Sequence, residues 1–149
     1  MELYPKIYLY RRLVQAKLYI DNNYAEHIDI ENISDAAYFS KFHFIRQFKK
    51  VYSLSPHKYL TSVRIEKSMQ LLQTGLPVSM ICYAVGFESL SSFCGLFKRM
   101  VGLTPSAYQT QQQQIKSQIL KIPLKFIPGC FAEKNGWIQK KSNFEEVVL

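Results

Sequence analysis

Cysteines, glycines, acidic side chains and long apolar runs are all scarce in this sequence. It has 149 residues, of which three are cysteine, six glycine and 11 aspartate or glutamate. Cys82, Cys94 and Cys130 are odd in number and widely spaced, which argues against a disulfide framework and favours a reducing compartment such as the cytoplasm. There is no CxxC and the three histidines are scattered, so we expect no metal site. With no apolar run of about 18 residues and no signal-peptide pattern, we expect neither a membrane span nor a leader.

Basic and hydrophobic side chains are what the sequence has in quantity. Lysine and arginine number 19, which gives a net charge of +8, and 48% of the residues are hydrophobic. That hydrophobic content is enough for a packed core, in one domain of ordinary size or two very small ones. The positive charge favours a polyanionic partner, either nucleic acid or an anionic membrane surface.

One stretch, residues 38–50, combines aromatic and basic side chains at helical spacing. It predicts a helix over residues 40–51 whose first turn is capped by the hydroxyl of Ser40. One apolar stripe consists of Phe44, Phe48 and Tyr52. A second row mixes cations with apolar groups and consists of Phe42, Ile45, Arg46 and Lys49. Such a row suits the DNA major groove, where arginine reads guanine edges and apolar groups touch thymine methyls. This stretch alone leaves a solvated amphipathic helix equally open.

Apolar periodicity and cap residues predict six further helices, over residues 6–23, 30–37, 56–74, 77–85, 89–101 and 104–108. Gly75 is expected to end the fourth helix of the chain, and Gly86 to form a corner with positive φ. The inner stripe of the helix over 89–101 is expected to be Phe93, Phe97 and Met100. Arg64 lies on the apolar face of its helix, and we favour a buried, paired arginine there over a ligand contact.

The sequence repeats itself at one offset. Phe44, Phe48, Lys49 and Lys50 recur 49 residues later as Phe93, Phe97, Lys98 and Arg99, and Ser55, Pro56 and Tyr59 recur as Thr104, Pro105 and Tyr108. This repeat predicts two helix-turn-helix units joined by the helix over 56–74. A helix of about 19 residues is roughly 28 Å long, which suits two reading helices in successive major grooves about 34 Å apart. The repeat therefore makes DNA binding the preferred interpretation.

Five motifs carry a family resemblance. They are residues 40–50, Ser55-Pro56-His57-Lys58-Tyr59-Leu60, Arg64-Ile65, Ala84-Val85-Gly86-Phe87, and Phe97-Lys98-Arg99 followed by Gly102-Leu103-Thr104-Pro105-Ser106-Ala107-Tyr108. The last of these is the most specific. On these motifs, residues 9–109 resemble the DNA-binding domain of the AraC/XylS family of bacterial transcription regulators.

The resemblance implies an all-α fold of about seven helices, in which the third and sixth helices enter the major groove. It implies that the base-reading residues are Phe42, Ile45, Arg46, Leu90, Ser91, Cys94 and Gly95. The candidates for phosphate contacts or helix-end charge are Ser40, Lys41, Lys49, Lys50, Ser89, Lys98 and Arg99. Phosphate contacts would orient the protein without reading sequence.

Three residues depart from the family pattern. Tyr38 stands at a corner where the family often has glycine, and a tyrosine there is expected to carry strain or to use another turn geometry. Gly95 stands where arginine is common, and Cys94 where a small polar residue is common. Because these residues offer no charge, we expect the first unit to carry most of the base recognition and the second to bind backbone or to read weakly.

The expected domain plan is a DNA-binding domain over 9–109 and a short irregular tail over 110–149. Within the domain, unit one covers about 9–54, the linker helix 56–74 and unit two about 77–109. The tail begins with four glutamines, which either extend the last helix or form a linker. It is too short for a typical ligand-binding domain, and we expect it to lie on the DNA-binding part or to be partly disordered.

The leading interpretation is a sequence-specific DNA-binding transcription regulator, an activator rather than a repressor, with no enzymatic activity and no cofactor. Its partners would be double-stranded DNA and, as a further candidate, RNA polymerase, and one chain with two reading helices would bind as a monomer. A protein-interaction module, or a fragment of a longer ligand-sensing regulator, is the alternative. An alkyl-accepting repair enzyme would need Cys130 as nucleophile, but no histidine follows it that could act as base.

Overall fold

Helices make up most of the fold in the computed structural model, which describes residues 3–36 and 40–136. The α-helices are α1 (Leu3–Asn23), α2 (Ile30–Ala36), α3 (Lys41–Tyr52), α4 (Pro56–Leu72), α5 (Val78–Ala84), α6 (Leu90–Val101), α7 (Pro105–Lys121) and α8 (Gly129–Lys134), with a 3-10 turn at Pro123–Phe126. No strand occurs in the described residues, which confirms the predicted all-α class. The chain divides into two compact units after Gln109.

Serine hydroxyls fix where the main helices of the first compact unit begin. Ser40 accepts a hydrogen bond from the backbone N–H of His43 at 3.3 Å, and Ser89 accepts one from that of Ser92 at 3.2 Å. Ser55 does the same for Lys58 at 3.4 Å. Each cap satisfies a donor that has no partner inside its helix, which stabilises the helix by about 1 kcal/mol. The capped starts of α3 and α4 agree with the predicted ones.

Each helix-turn-helix unit has its own hydrophobic core. The first contains Leu13, Ala16, Ile20, Ile33, Phe44, Phe48 and Leu60. The second contains Ile65, Leu72, Ile81, Cys82, Val85, Phe93, Phe97 and Tyr108. Helix α4 contributes residues to both cores, so the predicted linker helix is also part of the packing of both units.

The predicted repeat is present in the packing of aromatic rings. The ring centroids of Phe48 and Tyr59 lie 5.6 Å apart, and those of Phe97 and Tyr108 also lie 5.6 Å apart. Both pairs are edge-to-face, an arrangement that aromatic quadrupoles favour. The two units are therefore built on the same internal scaffold.

The described part of the tail is more helical than irregular. The last helix of the second unit runs past Tyr108 to Lys121, so of the two expected alternatives for the four glutamines the structure has the helix extension. Glutamine is a good helix former, and no proline or glycine interrupts the chain before Pro123. The tail, predicted to be irregular, also contains the 3-10 turn and α8 in its described part.

Met100 is a second correction. It was expected on the inner stripe of α6, but its side chain is 49% exposed. Val101 packs against the second core in its place. The equivalent residue of α3, Val51, is also exposed, at 40%. The stripe therefore continues from Phe97 by four residues rather than three.

Some predictions fall outside the described residues. Tyr38, expected to be strained or to use an unusual turn, is one of them, and residues 137–149 of the tail are the others.

Helices α3 and α6 end in the same way but with different residues. Ser53 at the end of α3 has φ 62°, and Gly102 at the end of α6 has φ 89°. The Ser53 N–H donates to the carbonyl of Lys49, and the Gly102 N–H to that of Lys98. Among the described residues, Ser53 is the single non-glycine residue with positive φ. The left-handed conformation is unfavourable for a residue with a Cβ, so α3 ends at a cost in free energy that α6 avoids.

We expect Ser53→Gly to stabilise the protein. The left-handed conformation costs serine about 1–2 kcal/mol, and the extra freedom of glycine in the unfolded chain offsets about 0.5–1 kcal/mol of that gain. The free energy of unfolding, measured by urea denaturation, should rise by roughly 0.5–1 kcal/mol. The reverse change at the equivalent position, Gly102→Ser, should lower it by a similar amount. A loss of stability in Ser53→Gly would show that the Ser53 side chain makes a contact of its own.

Gly86, in the turn between α5 and α6, packs directly against the loop that follows α1. Its φ is 92°, and a Cβ added there would lie 2.8 Å from the carbonyl oxygen of Ala25 and 2.9 Å from that of Tyr24. Both the backbone conformation and the lack of space therefore require glycine, as its predicted role at a corner suggested.

Gly86→Ala should destabilise the protein much more than Gly102→Ala does. Both alanines would have positive φ, but a Cβ at Gly102 meets nothing within 4 Å. We expect a loss of about 1 kcal/mol for Gly102→Ala from conformation alone, and about 3 kcal/mol for Gly86→Ala, where backbone must also move. Urea denaturation of the two variants side by side measures this difference. Equal losses of stability in the two variants would mean that the loop after α1 moves aside for the added Cβ without a cost in free energy.

Candidate nucleic-acid interface

Helices α3 and α6 each have one fully buried face and one exposed face. Phe44 and Phe48 on α3, and Phe93 and Phe97 on α6, are 0% exposed. Their centroids are 5.7 Å apart in both helices. Because these residues fix the rotation of each helix, the residues on the opposite side must face away from the core.

The outer face of α3 carries cations and one large aromatic ring. Phe42 is 78% exposed, and Arg46, Lys49 and Lys50 are exposed as well. Helix α3 contains no acidic residue. An exposed phenylalanine one turn before an arginine offers an apolar contact and a planar, bidentate hydrogen-bond donor on one face, the two kinds of group that read thymine and guanine.

Ile45 and Cys94 occupy equivalent positions, 49 residues apart, and both are partly buried. Ile45 packs against the first core and Cys94 against the second. Cys82, which lies in the second core, is fully buried, and burial raises the pKa of its thiol. The side chains of Ile45 and Cys94, both predicted to read bases, are therefore partly covered by the cores. They offer less exposed surface to a DNA groove than Phe42 does.

The outer face of α6 is smooth and uncharged near its centre. Leu90 is 39% exposed, and Ser91 and Gly95 are exposed. Gly95 is the equivalent of Arg46, and a Cβ built on it meets nothing within 4 Å. The second unit thus has room for a side chain where the first has its guanidinium.

The predicted phosphate-binding residues fall into two groups. Lys49, Lys50, Lys98 and Arg99 are exposed in the last turns of their helices, where they also complement the helix dipole. Ser40 and Ser89, by contrast, use their hydroxyls as helix caps, and Ser89 also lies 2.8 Å from the hydroxyl of Ser92. These serines can offer a phosphate less than the sequence suggested.

Lys41 is already paired. Its Nζ lies 2.6 Å from a carboxylate oxygen of Glu31 on α2. This hydrogen bond and the charge of Glu31 raise the pKa of Lys41. The pair is exposed and therefore weak, so a phosphate can compete for the lysine.

A cleft beside the N-terminal half of α3 contains groups that the sequence did not single out. It has a volume of about 510 Å³, and its lining includes His27, Lys41, Ile45 and His57. No sequence motif joins the two histidines, which come from the loop after α1 and from the start of α4. Both histidines therefore lie close to the N-terminal half of α3.

The part of the chain that the structure describes, residues 3–36 and 40–136, contains neither a metal-ion cluster nor a membrane-spanning helix. In that part of the chain no group of three or more His, Cys, Asp or Glu side chains is placed to hold a metal ion. No helix there is both long and apolar enough to span a bilayer.

Two helix-turn-helix units, each presenting the exposed face of its second helix, define a DNA-binding protein of the double helix-turn-helix class. Residues 33–111, more than half of the chain, match the helix-turn-helix domain family. AdaA of Bacillus subtilis, named a bifunctional transcriptional activator/DNA repair enzyme, is 32% identical over 92 residues, which cover 61% of this chain and 44% of AdaA. The chain therefore spans less than half the length of this relative.

Solved structures agree. A transcriptional regulator from Chromobacterium violaceum, described as having an AraC-type DNA-binding domain, aligns with a TM-score of 0.64 and 27% identity, over 70% of this chain and 94% of that one. The DNA-binding domain of AdpA, solved in complex with a target DNA, aligns with a TM-score of 0.64 and 25% identity, over 74% of this chain and 96% of that one. The chain belongs to the AraC-type helix-turn-helix family, as its motifs indicated.

Gly95→Arg should sharpen the base preference of the second unit. The open space at this position admits the side chain without a clash, and a bidentate arginine–guanine pair discriminates by about 1–3 kcal/mol. Selection of bound sequences from random double-stranded DNA should show a sharper second box than for the wild type. Gly95→Ala is the matched control, because it adds helix propensity of about 1 kcal/mol without a guanidinium. A second box that sharpens equally in both variants would mean that helix stability, and not the guanidinium, is responsible.

Proposed function

We propose that this chain is a sequence-specific DNA-binding transcription regulator that acts as an activator, with α3 and α6 in successive major grooves. The observation that carries the proposal is the repeat: two equivalent helices, fixed by identical inner packing, expose outer faces free of acidic residues. Helix α4 has 17 residues and is therefore about 26 Å long, which suits grooves about 34 Å apart. The activator role is supported by the name of the relative AdaA.

The two units would divide the work. Phe42 and Arg46 on α3 would read bases, with partial help from Ile45. Helix α6 would contribute mainly backbone contacts through Lys98 and Arg99, with Leu90, Ser91, Cys94 and Gly95 reading weakly. Residues 9–109 would form the DNA-binding domain, and a single chain would occupy both boxes. RNA polymerase in the cytoplasm is the further partner that an activator would require.

An enzymatic role is not part of the proposal. The name of AdaA includes a DNA repair enzyme. In this chain the alkyl-accepting form of repair considered from the sequence would require Cys130. That residue is exposed on α8, and no histidine follows it in the sequence. The matched region supports DNA binding without supplying an activated nucleophile.

Selection from random double-stranded DNA, followed by salt titration on the best site, tests the proposal. We expect two short boxes about one helical turn apart, the first better defined than the second. The logarithm of affinity should fall steeply with the logarithm of salt concentration, because lysine–phosphate contacts release counterions. Binding without any enriched sequence would overturn the proposed function.

Arg46→Ala and Ser91→Ala should have unequal effects on the selected motif. Loss of Arg46 should cost about 1–3 kcal/mol on the preferred site and relax the sequence preference of the first box. Loss of the Ser91 hydroxyl should change the preference little, because it offers one weak contact. Comparable losses of preference in the two variants would refute the division of work between α3 and α6.

A further inference from the structure

Three segments of the first compact unit meet at one place, which we call the junction. They are the loop after α1 (Tyr24, Ala25 and Glu26), Arg64 on α4, and the turn formed by Gly86 and Phe87. The loop belongs to the first helix-turn-helix unit and the turn to the second. The junction is therefore a direct connection between the two units, in addition to the covalent one through α4.

Arg64 holds the loop from one side. Its Nε donates to the carbonyl of Tyr24 at 2.7 Å, and one terminal nitrogen donates to the carbonyl of Glu26 at 2.9 Å. This confirms the prediction of a paired arginine. Partial burial lowers the pKa of the guanidinium, with Glu88 acting in the opposite direction, yet an arginine stays charged in proteins. A cation withdrawn from water in this way is retained because two carbonyls replace the lost solvent.

Gly86 holds the same loop from the other side. Its Cα approaches the carbonyls of Tyr24 and Ala25 so closely that a Cβ would lie within 3.0 Å of either oxygen. Tyr24 itself packs against both hydrophobic cores. The guanidinium of Arg64 also lies 5.9 Å from the ring centroid of Phe87. The loop is thus enclosed between α4 and the turn that leads into α6.

The position of this contact determines where α6 begins relative to the first unit. On DNA, one base pair corresponds to about 3.4 Å of axial rise and roughly 35° of rotation. A protein that reads two boxes can distinguish spacers differing by one base pair only if its two reading helices are held to within such a displacement. Helix α4 packs into both cores and so joins the units through one shared helix. The junction adds a direct backbone contact between the loop of the first unit and the turn of the second.

We propose that Arg64 is a positioning residue that sets the spacing between the two DNA boxes, by fixing the loop after α1 against Gly86. The inference rests on the proposed function, since spacing has meaning only for a protein that binds two boxes. It assigns to a residue on α4, outside both α3 and α6, an effect on specificity without any contact to a base.

The test compares the best site with sites whose spacer is one base pair shorter or longer, and with DNA that contains the first box alone. Wild-type protein should prefer the best spacing by about tenfold, a loss comparable to that of one mismatched base pair. Arg64→Met keeps the aliphatic length but removes both donors, and should reduce the preference to about threefold or less while affinity for the first box alone changes by less than about twofold. The amino group of Arg64→Lys can reach one carbonyl, so the spacing preference of this variant should lie between those of the wild type and Arg64→Met.

Arg11→Met is the matched control for the loss of one positive charge. Arg11 is exposed on α1 and belongs to none of the three segments of the junction. This variant should lower affinity for all the sites alike, through electrostatics, and leave the spacing preference intact. A spacing preference that survives in Arg64→Met, or that falls equally in Arg11→Met, would overturn the proposal.

A distance measurement without DNA separates the junction from the proposed function. Val51 and Met100 are equivalent exposed positions on α3 and α6, and can carry spin labels after Val51→Cys and Met100→Cys, in a background with Cys94→Ser and Cys130→Ser. The distance distribution between the labels should be narrow with Arg64 present and broader with Arg64→Met, while circular dichroism confirms that both proteins are folded. An unchanged width would overturn the positioning role whether or not the protein binds DNA. A broader width together with failure to select any DNA sequence would support the junction and refute the DNA-binding function.

Discussion

The burial of two phenylalanines on the inner face of α3, and of two on that of α6, is the constraint on which the rest of the fold depends. Phe44, Phe48, Phe93 and Phe97 are all 0% exposed, and burying each stabilises the fold by about 1.5–3 kcal/mol. A slip of one residue would rotate a helix by about 100° and bring charged side chains toward the core. The same packing that stabilises the protein therefore keeps the residues outside the core, Arg46 above all, on the outer face.

Because α3 and α6 have the same inner packing, the residues on their outer faces can differ. The inner distances of α3 and α6 agree to within 0.1 Å, but Arg46 on one corresponds to Gly95 on the other. Glycine in an exposed helix position costs about 1 kcal/mol relative to alanine and contributes no contact. The second unit keeps its terminal cations, Lys98 and Arg99, which can orient the protein on a phosphate backbone. Its design suits a unit that fixes position more than one that reads sequence.

Local features of the fold could be predicted from the sequence, and features that depend on a partner element could not. The serine caps and the phenylalanine stripes involve residues three or four positions apart, which a sequence shows directly. Met100 was misplaced because three-residue and four-residue steps from Phe97 both continue a helical stripe, and only packing against the second core selects Val101. The pairing of Lys41 with Glu31 was missed because it joins two different helices. The length of α7 stayed open because glutamine suits both a helix and a linker.

The junction shows why the relation between two units is harder to read than the units themselves. Arg64 was recognisable as a paired arginine, but its partners are backbone carbonyls 40 and 38 residues away. Every residue type supplies a carbonyl, so the accepting side of these hydrogen bonds leaves no pattern in the sequence. Only the donor, Arg64, and the residue that must lack a Cβ, Gly86, are restricted in type. The contacts proposed to set the spacing between α3 and α6 are thus specified by two residues, Arg64 and Gly86. Neither residue lies on the surface proposed to meet DNA.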